Sequence, residues 1–438
     1  MKKLKIKSIV ATLMMTTMVV GLLSGCTQNT TAGTAQNGPV KIEFWYGLGG
    51  KLGDNVQAII KQFNASQKDV IVKGVAQGSY DETYQALQAA IAAKKAPAVV
   101  LLDDEQMSEL ANKHELAPLD EYISKDSSFN ASDFVPAFYN EGKINGKQYA
   151  LPMYGTTQVL YYRKDMFKNA GISEDSLNTW EGLFAAADKL TTKNGGTTSV
   201  YGWEPMYGAD NLIDAAYSDG GKILSKDGKK VTIDTPEWVN TWDMFRKAIF
   251  DSKTMRIHSG GQGWQYWYDT IDDVMKDKAA GYTGSSGDQG DLDFSKIAAH
   301  VQPGFSNHKA APIASAQTMS IPAITNTAEQ EAAFKWMEYF TSAKTTAEWS
   351  MKTGYIAVRK SATSDPTFKA YAAKNPQILV PLKQASTASA PFVDPTGGKI
   401  TDALTKAADK VEIENIPAAV ALKEAEDQAQ QALDATSK

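Results

Sequence analysis

GKQYALPMYGTTQVLYYRKDMFKNAGI, residues 146–172, is the stretch that decides the fold of this chain. Apolar residues at 149–153 follow a glycine turn and predict a strand, and the polar residues 155–158 predict a break. A second apolar strand is predicted at 159–162, and it runs directly into a helix. This order is expected where a chain leaves one structural unit and enters another, so the stretch predicts a connection between two lobes.

Strand and helix patterns alternate before this connection, as in a doubly wound α/β sheet. Apolar residues alternate in 40–44 and recur at helical spacing in 56–63, and the same pair of patterns repeats in 70–75 and 84–91. Residues 98–102 form a continuous apolar run, as a strand covered on both faces requires. These patterns predict the α/β class for the first lobe.

Length and charge limit the possible functions. A chain of 438 residues is too long for one core of ordinary size, and 43% hydrophobic with 22% charged residues is typical of a globular protein. Without the four leader lysines, 41 basic residues remain against 50 acidic ones, a net charge of −9. An acidic protein does not attract phosphate backbones, so we expect no nucleic-acid partner.

The N-terminus predicts export. Four lysines precede an apolar run at 9–23 that is too short for a confident membrane span, as in a secretory signal peptide at 1–25. The sequence Leu23-Ser24-Gly25-Cys26 resembles the bacterial lipobox, which implies lipid on Cys26 and a position on the extracellular face of the cell membrane. Cys26 is the only cysteine and can form no internal disulfide. Residues 26–38 are polar and predict a flexible tether.

The stretch at 146–172 resembles the crossover segment of bacterial extracellular solute-binding proteins that serve sugar ABC transporters. FWYGLGGKLGDNVQAIIKQFNASQ, GSYDETYQALQAAIAAKKAPAVVLLDD and FVPAFYNEGKINGKQYALPMYGTTQVLYYRKD are similar to the glycerol-3-phosphate-binding branch, more than to the maltose-binding one. The resemblance implies a two-lobed periplasmic-binding-protein-like type II fold, with doubly wound sheets joined by crossing strands. It further implies a monomeric protein that binds a small-molecule carbohydrate and delivers it to an ABC permease. The four histidines are scattered without metal-ligand spacing, and the sequence has no nucleophile elbow or phosphate loop, so we expect no metal, no cofactor and no catalysis.

Lobe boundaries follow from the two predicted crossovers. The first lobe is predicted to comprise 39–156 and 317–343, and the second 157–316 and 344–438. The family resemblance implies that the second crossover lies at 312–324. Ligands of open α/β sheets bind beyond the carboxyl ends of the strands. In the first lobe, this rule predicts ligand contacts from Trp45, Tyr46, Asp103 and Asp104, which follow or end predicted strands. The acidic pair can equally cap a helix N-terminus.

Other predicted contacts come from the resemblance. The tyrosine of the family's G-x-Y turn corresponds to Tyr80, and the acidic residue after the third strand to Asp104. The hydroxyls that contact ligand in the family's crossover correspond to the Gly155-Thr156-Thr157 segment. Gly155 has no hydroxyl, so Thr156 is predicted to contact the ligand in its place. The neighbouring Tyr154 is also predicted to contact the ligand. A serine that contacts ligand in the family corresponds to Ser285 or Ser286. Both lie in a Gly-Ser turn, which could alternatively have only a structural role. The family's K-T-G-Y-x-P-V signature matches 352–358, with alanine in place of the proline, and implies Tyr355.

Tryptophans divide by their local pattern. Trp203 lies in an irregular segment flanked by glycine and proline, which favours a ligand contact over a core position. Trp264 precedes a helix and falls off its apolar face, so it or Tyr266 is predicted to stack on ligand, whereas Trp267 and Tyr268 are assigned to the core side. The tryptophans in 238–249 recur at helical spacing and are also predicted to be core.

The ligand class follows from residue chemistry. Sugars are bound by aromatic faces and by carboxylates and amides, whereas phosphates are usually bound by guanidinium groups. The chain has four arginines, and the segment 390–399, where the glycerol-3-phosphate branch carries one, has none. We therefore predict a neutral saccharide; the alternatives are glycerol-3-phosphate or a glycerophosphodiester. An extracellular glycosidase is the alternative from another class, with a carboxylate pair drawn from five aspartates: Asp103, Asp104, Asp269, Asp272 and Asp273.

Overall fold

The computed structural model describes residues 38–436. The predicted signal peptide, Cys26 and all but the last residue of the predicted tether lie outside the described residues. Among the described helices, none combines the length and the apolar character needed to cross a membrane.

Twelve strands and sixteen α-helices are found in this range. The strands are β1 (Val40–Tyr46), β2 (Val70–Ala76), β3 (Val99–Leu102), β4 (Lys143–Ile144), β5 (Lys147–Gln148), β6 (Ala150–Arg163), β7 (Thr192–Asn194), β8 (Thr197–Val200), β9 (Glu204–Pro205), β10 (Gly281–Ser285), β11 (Ile297–His300) and β12 (Ala314–Ser320). The helices are α1 (Gly50–Ser66), α2 (Tyr80–Ala92), α3 (Asp104–Asn112), α4 (Asp120–Lys125), α5 (Pro136–Glu141), α6 (Lys164–Asn169), α7 (Trp180–Leu190), α8 (Ala209–Ser218), α9 (Pro236–Phe250), α10 (Gln265–Met275), α11 (Thr327–Phe340), α12 (Ala343–Thr353), α13 (Pro366–Lys374), α14 (Leu379–Ala385), α15 (Lys399–Glu412) and α16 (Ala418–Thr436). Short 3-10 helices cover Ala131–Asp133, Glu174–Asn178, Ser286–Asp291, Lys360–Ser364 and Pro376–Ile378.

The first lobe is built on the sheet order β2-β1-β3-β12-β6. Strand β1 pairs in parallel with β2 and β3, and β12 is antiparallel to both β3 and β6. All four residues of β3 are buried, as its continuous apolar run predicts, because helices cover both faces. The buried residues of α1, Val56, Ile59, Ile60 and Phe63, are the ones that its helical spacing predicts.

Strand β6 joins the two lobes. Its first half pairs with β12, and its second half pairs with β10 and β11 in the sheet of the second lobe. The predicted break at 155–158 is wrong, because the strand is continuous through all 14 residues. The glycine is explained by close packing instead, since a Cβ on Gly155 would lie 2.3 Å from the ring of Phe138. Polar residues occur here because the strand passes the space between the lobes.

The second lobe contains β6, β10, β9 and β11, with its own apolar core. Trp238, Trp242 and Phe245 of α9 are buried in that core, which confirms the prediction for this helix face. Helices α15 and α16 pack in the same core, and this also agrees with the sequence. The prediction of a two-lobed α/β fold with crossing strands is thus confirmed.

One part of the predicted lobe division is wrong. Everything after residue 343 was assigned to the second lobe, yet Trp349 of α12 and the following residues Tyr355, Ile356 and Val358 are buried in the core of the first lobe. The backbone of Ile356 exchanges hydrogen bonds with Gly155 at 2.8 and 2.9 Å, which holds this segment on the edge of β6. The chain therefore enters the second lobe later, before α15.

Candidate ligand-binding site

A cavity of about 470 Å³ lies between the two lobes, beside strands β6 and β12. Its lining residues come from both lobes and from the crossing strands. They are Leu48, Gly49, Leu52, Tyr80, Asp103, Asp104, Glu105, Thr156, Thr157, Gln158, Tyr207, Asp210, Ile213, Asp214, Ile223, Trp264, Tyr266, Trp267, Tyr268, Ile271, Ser285, Gly287, Asp288, Asp291, Ile313, Ser315, Gln317, Tyr355, Pro391, Phe392, Thr401 and Leu404.

Seven predicted contact residues meet in this cavity: Tyr80, Asp103, Asp104, Thr156, Trp264, Ser285 and Tyr355. The lobes touch each other around it, because Trp264 Nε1 donates to the carbonyl oxygen of Gly47 in the first lobe at 3.2 Å. Near the crossing strands the hydroxyls of Thr156 and Ser285 lie 3.4 Å apart. The two lobes therefore enclose the cavity in a closed arrangement.

An aromatic stack supports the first-lobe wall. The rings of Tyr355 and Tyr154 stack with 4.1 Å between their centroids, and Tyr154 also stacks on Trp349. The hydroxyl of Tyr154 is hydrogen-bonded to that of Tyr80. Tyr154 is fully buried and does not line the cavity, so its predicted direct contact is replaced by support of Tyr80 and Tyr355 from behind.

The glycine–serine turn contributes one side chain and one backbone position. Ser285 ends β10 and its hydroxyl accepts a hydrogen bond from the Gly287 amide at 3.0 Å, which caps the following 3-10 helix. A Cβ on Gly287 would lie 2.2 Å from the Tyr355 ring, so only glycine leaves room for that ring. Ser286 is fully buried and does not line the cavity, which contradicts its predicted contact.

Carboxyl groups dominate the polar lining. Asp103 caps α3 by accepting from the Gln106 amide at 2.8 Å, and burial raises its pKa well above the usual range. Burial also raises the pKa of Asp104, with a contribution from the charge of Asp210 in the second lobe. The pKa of Asp210 is raised by burial as well, and that of Glu105 is raised by burial to about 7.

Two further carboxyls have structural partners. Asp214 accepts hydrogen bonds from the Ile313 amide at 2.8 Å and from Gln302 Nε2 at 2.5 Å, which ties α8 to the second crossing. Asp288 accepts from Trp267 Nε1 at 2.7 Å and from the Tyr282 hydroxyl at 3.1 Å. Burial raises the pKa of each to about 8.

Basic side chains are absent from the lining among the residues that the structure describes. The four arginines are used elsewhere. Arg163 pairs with Asp165 and Asp277, and Arg246 pairs with Asp243. Arg256 pairs with Glu204, and Arg359 stacks over Phe134 while donating to backbone carbonyls. The cavity is consequently acidic and aromatic.

Three aromatic predictions are wrong. Trp45 packs on the opposite sheet face and its Nε1 donates to Glu43 at 3.0 Å. Tyr46 is 1% exposed, and its hydroxyl accepts from Gln57 Nε2 at 2.6 Å in the first-lobe core. Side chains of a strand point to its two faces, so these residues do not project beyond its end. Trp203 is 1% exposed in the second-lobe core, with its Nε1 donating to Thr283 at 2.9 Å.

Several lining residues were missed by sequence reasoning. Trp267 and Tyr268 were assigned to the core, but both line the cavity together with Trp264 and Tyr266 at the start of α10. The dense aromatic composition of this helix start was the available signal. Asp210 had no such signal, because it lies in an ordinary first turn of α8.

One group outside the cavity has the composition of a metal site. Glu204, His258 and Asp273 place one ligand atom each within 4.8 Å of one another. Arg256 donates to Glu204 at 2.8 Å and also pairs with Asp273, and Lys278 lies 3.2 Å from Asp273. These cations already neutralise the two carboxylates, so the group is better described as an ion-pair network.

Comparison with known protein families shows to which family the chain belongs. Residues 58–376 match the family described as bacterial extracellular solute-binding protein. The chain belongs to this family. The resemblance recognised in the sequence is thereby confirmed, and it covers well over half of the chain.

Curated relatives of this solute-binding protein include glycerol-3-phosphate binders. It is 31% identical over 178 residues to the sn-glycerol-3-phosphate-binding periplasmic protein UgpB of Yersinia pestis, a match covering 39% of this chain and 40% of that relative. Against the protein of the same name from Escherichia coli strain 536, identity is 25% over 370 residues, with 78% and 80% covered. The first match thus spans two fifths of its relative's length.

Solved structures with several different ligands share the fold of this solute-binding protein. UgpB from Mycobacterium tuberculosis, in complex with glycerophosphocholine, superposes with a TM-score of 0.80 at 22% identity, covering 92% of this chain and 100% of that one. The acarbose-binding GacH receptor of Streptomyces glaucescens gives 0.79 at 20% identity, covering 90% and 99%. Maltose-bound MalE3 of T. maritima gives 0.79 at 21%, covering 90% and 99%. At these identities the likeness establishes the fold alone.

Proposed function

We propose that this protein is the substrate-binding component of an ABC importer. It captures a carbohydrate between its lobes, closes around it, and presents the closed form to a membrane permease. Family membership supports the transport role, and the position of the cavity beside the crossing strands supports capture by closure. We expect no catalysis and a monomeric protein.

The residues that line the cavity support a carbohydrate as the ligand. Aromatic side chains line it on both sides, including Tyr80 and Tyr355 in the first lobe and Trp264, Tyr266 and Trp267 in the second. Carboxylates, amides and hydroxyls lie between them. Apolar ring faces suit the C–H surfaces of sugars, and the polar groups replace the water that sugar hydroxyls lose on binding.

Glycerol-3-phosphate or a glycerophosphodiester is the second candidate, because curated relatives carry that name. A phosphate needs positively charged or N–H-rich partners to compensate for its lost hydration. None of the described lining residues is a lysine, arginine or histidine. A phosphate would instead face several carboxylates, so a carbohydrate is the better fit.

Glycoside hydrolysis is disfavoured by the placement of the candidate carboxylates. Of the five aspartates considered for a catalytic pair, Asp103 and Asp104 line the cavity. Asp103 is committed to capping α3. Asp269 accepts a hydrogen bond from Gln265 Nε2 at 2.9 Å and does not line the cavity. Asp272 is exposed on α10 and pairs with Lys276, and Asp273 belongs to the Arg256 network.

Anchoring through lipid on Cys26 remains part of the proposal, on the strength of the lipobox-like sequence alone. In a Gram-positive host or an equivalent expression host, the wild-type protein should fractionate with membranes, and Cys26→Ser should release it to the medium. Retention of the Cys26→Ser protein in the membrane fraction would contradict lipid attachment at this residue.

A thermal-shift panel on the chain from Thr27 onward tests the ligand class. Mono- and oligosaccharides, glycerol-3-phosphate and glycerophosphodiesters are compared at equal concentration. We expect stabilisation by one or more saccharides, because ligands that bind the native state raise its melting temperature. Stabilisation by the phosphoesters alone would replace the carbohydrate with the second candidate. Cleavage of a glycoside without stabilisation would refute the binding-protein function.

A further inference from the structure

The charge balance of the cavity is strongly one-sided. None of the described lining residues is basic, whereas seven are acidic: Asp103, Asp104, Glu105, Asp210, Asp214, Asp288 and Asp291. Four of these have partners that account for them. Asp103 caps a helix, Asp214 and Asp288 accept hydrogen bonds, and Asp291 pairs with Lys51 at 3.1 Å.

The remaining three, Asp104, Glu105 and Asp210, form no ion pair with any described residue. Of these, Asp104 and Asp210 lie in different lobes, and they are close enough for the charge of Asp210 to raise the pKa of Asp104. The Asp104 carboxylate accepts hydrogen bonds from the backbone amides of Asp104 and Glu105, and the Asp210 side chain has no hydrogen-bond partner among the described residues. Asp104 lies in the first turn of α3 in the first lobe, and Asp210 in the first turn of α8 in the second. Both line the cavity, and Asp210 keeps more than a third of its surface accessible there. Closure of the lobes brings these two acidic side chains toward the same space.

Aromatic rings surround the Asp210 side of the cavity. Tyr207 and Tyr266 meet edge to face with 5.4 Å between centroids, and Trp264 and Trp267 lie 6.3 and 6.2 Å from Tyr266. Aromatic faces together with carboxylates attract ammonium groups, through the ring quadrupole and through direct charge. A ligand bound here displaces water from Asp104 and Asp210, and neutral hydroxyls would then leave their charges without a countercharge, which is unfavourable.

We propose that the ligand is a hydroxylated molecule carrying a positively charged nitrogen, which binds between Asp104 and Asp210. The inference rests on the proposed carbohydrate-binding function and narrows it to amine-bearing sugars or polyols. A quaternary ammonium attached to a polyol has the same recognition chemistry. The positive group cancels the repulsion between the two lobes, so ligand binding and closure are coupled.

Paired probes test this by isothermal titration calorimetry on the chain from Thr27 onward. Within each pair, only amino groups replace hydroxyls: glucosamine and glucose, the β-1,4-linked glucosamine disaccharide and cellobiose, N-methylglucamine and sorbitol. Choline and glycerophosphocholine form a separate arm for the quaternary ammonium source. We expect the charged member of at least one pair to bind about tenfold more tightly than its neutral partner.

Variants test whether the preference for the positively charged probe depends on Asp104 and Asp210. Asp104→Asn and Asp210→Asn should each reduce the preference for the charged probe by about fivefold or more, and Asp210→Glu should retain most of it. Asp272→Asn, on the exposed side of α10, is the matched control and should change nothing. Thermal unfolding of each variant verifies that it folds.

Each outcome decides between the proposals. Preference for choline-type probes alone would keep the positive nitrogen and exclude the amino-sugar source. Equal or tighter binding of the neutral members in every pair would overturn the inference and leave the carbohydrate-binding function in place. Absence of binding by every saccharide, polyol and choline probe would overturn both. A preference unchanged in both Asn variants would also overturn the proposed location.

Discussion

Lys51 and Asp291 form an ion pair between the two lobes, with 3.1 Å between Nζ and Oδ1. Lys51 lies in α1 of the first lobe, and its Nζ also donates to the carbonyl oxygen of Gly290 at 2.8 Å. Asp291 ends the 3-10 helix that follows the Gly-Ser turn of the second lobe, and it lines the cavity. This pair can exist only when the lobes are closed.

Removal of this ion pair should favour the open form. The Lys51 side chain is 62% exposed, so Lys51→Ala should weaken ligand binding by only about 1.5- to 5-fold, the range expected of a partly solvated ion pair. Small-angle scattering should show a larger radius of gyration for the unliganded variant. Lys73→Ala is the control, because Lys73 pairs with Glu43 within the first lobe and should affect neither quantity.

Trp264 and Trp203 should separate ligand binding from stability. Trp264 lines the cavity, so Trp264→Ala should weaken binding by about tenfold with little change in unfolding free energy. Trp203 is buried in the second-lobe core, so Trp203→Ala should lower the free energy of unfolding by about 3–5 kcal/mol. Chemical denaturation and calorimetry measure the two effects. A binding defect in a fully stable Trp203→Ala protein would contradict the core position.

Gly287 should be essential for the position of Tyr355. A methyl group added by Gly287→Ala would meet the Tyr355 ring at 2.2 Å, and the ring must move away from the cavity wall. We expect about a tenfold loss of affinity, similar to that of Tyr355→Ala. In the double variant the two losses should not add, because both act through the same ring. Fully additive losses would show that Gly287 acts independently of Tyr355.

The unliganded protein should become less stable as the pH rises. Burial raises the pKa of Glu105 to about 7 and those of Glu141, Asp214, Asp288 and Glu338 to about 8. A carboxyl whose pKa is raised on folding stabilises the fold fully below its unfolded pKa of about 4, and this contribution is lost as the pH rises through 7–8. The melting temperature should therefore fall between pH 6 and pH 9 at constant ionic strength.

Glu338→Gln provides a check on this explanation. Glu338 lies outside the cavity, and its neutral replacement should make the melting temperature less dependent on pH across the same range. A melting temperature that rises from pH 6 to pH 9 in the wild-type protein would contradict the raised pKa values.

Sequence patterns worked well where an element's own periodicity fixes its environment. Local spacing predicts the helix faces of α1 and α9 and the buried strand β3. The second crossing, within 312–324, is implied by the family resemblance and is found as β12 paired with β6. The polar residues at 155–158 predict a break in the strand, and this prediction fails because residues 156–158 line the cavity while β6 continues through them.

Individual side chains were harder to place than elements. The flanking Gly and Pro of Trp203 suggested a loop open to ligand, but a Cβ at Gly281 would lie 2.2 Å from the Trp203 ring, so the indole fills space left by a distant glycine. Trp45 and Tyr46 were placed at a strand end, where the alternation of side chains directs them to opposite sheet faces instead.

The sequence by itself determined the α/β class, the two-lobed organisation, the family and seven of the residues that line the cavity. These depend on periodicity and on motifs, which are local properties of the chain. Only the tertiary structure decided that Asp104 and Asp210, from helices in different lobes, line one cavity without a basic neighbour among the described lining residues. The physical reason is that the charge of a cleft is the sum of the charges of residues far apart in the chain. Those residues become neighbours only in the folded protein.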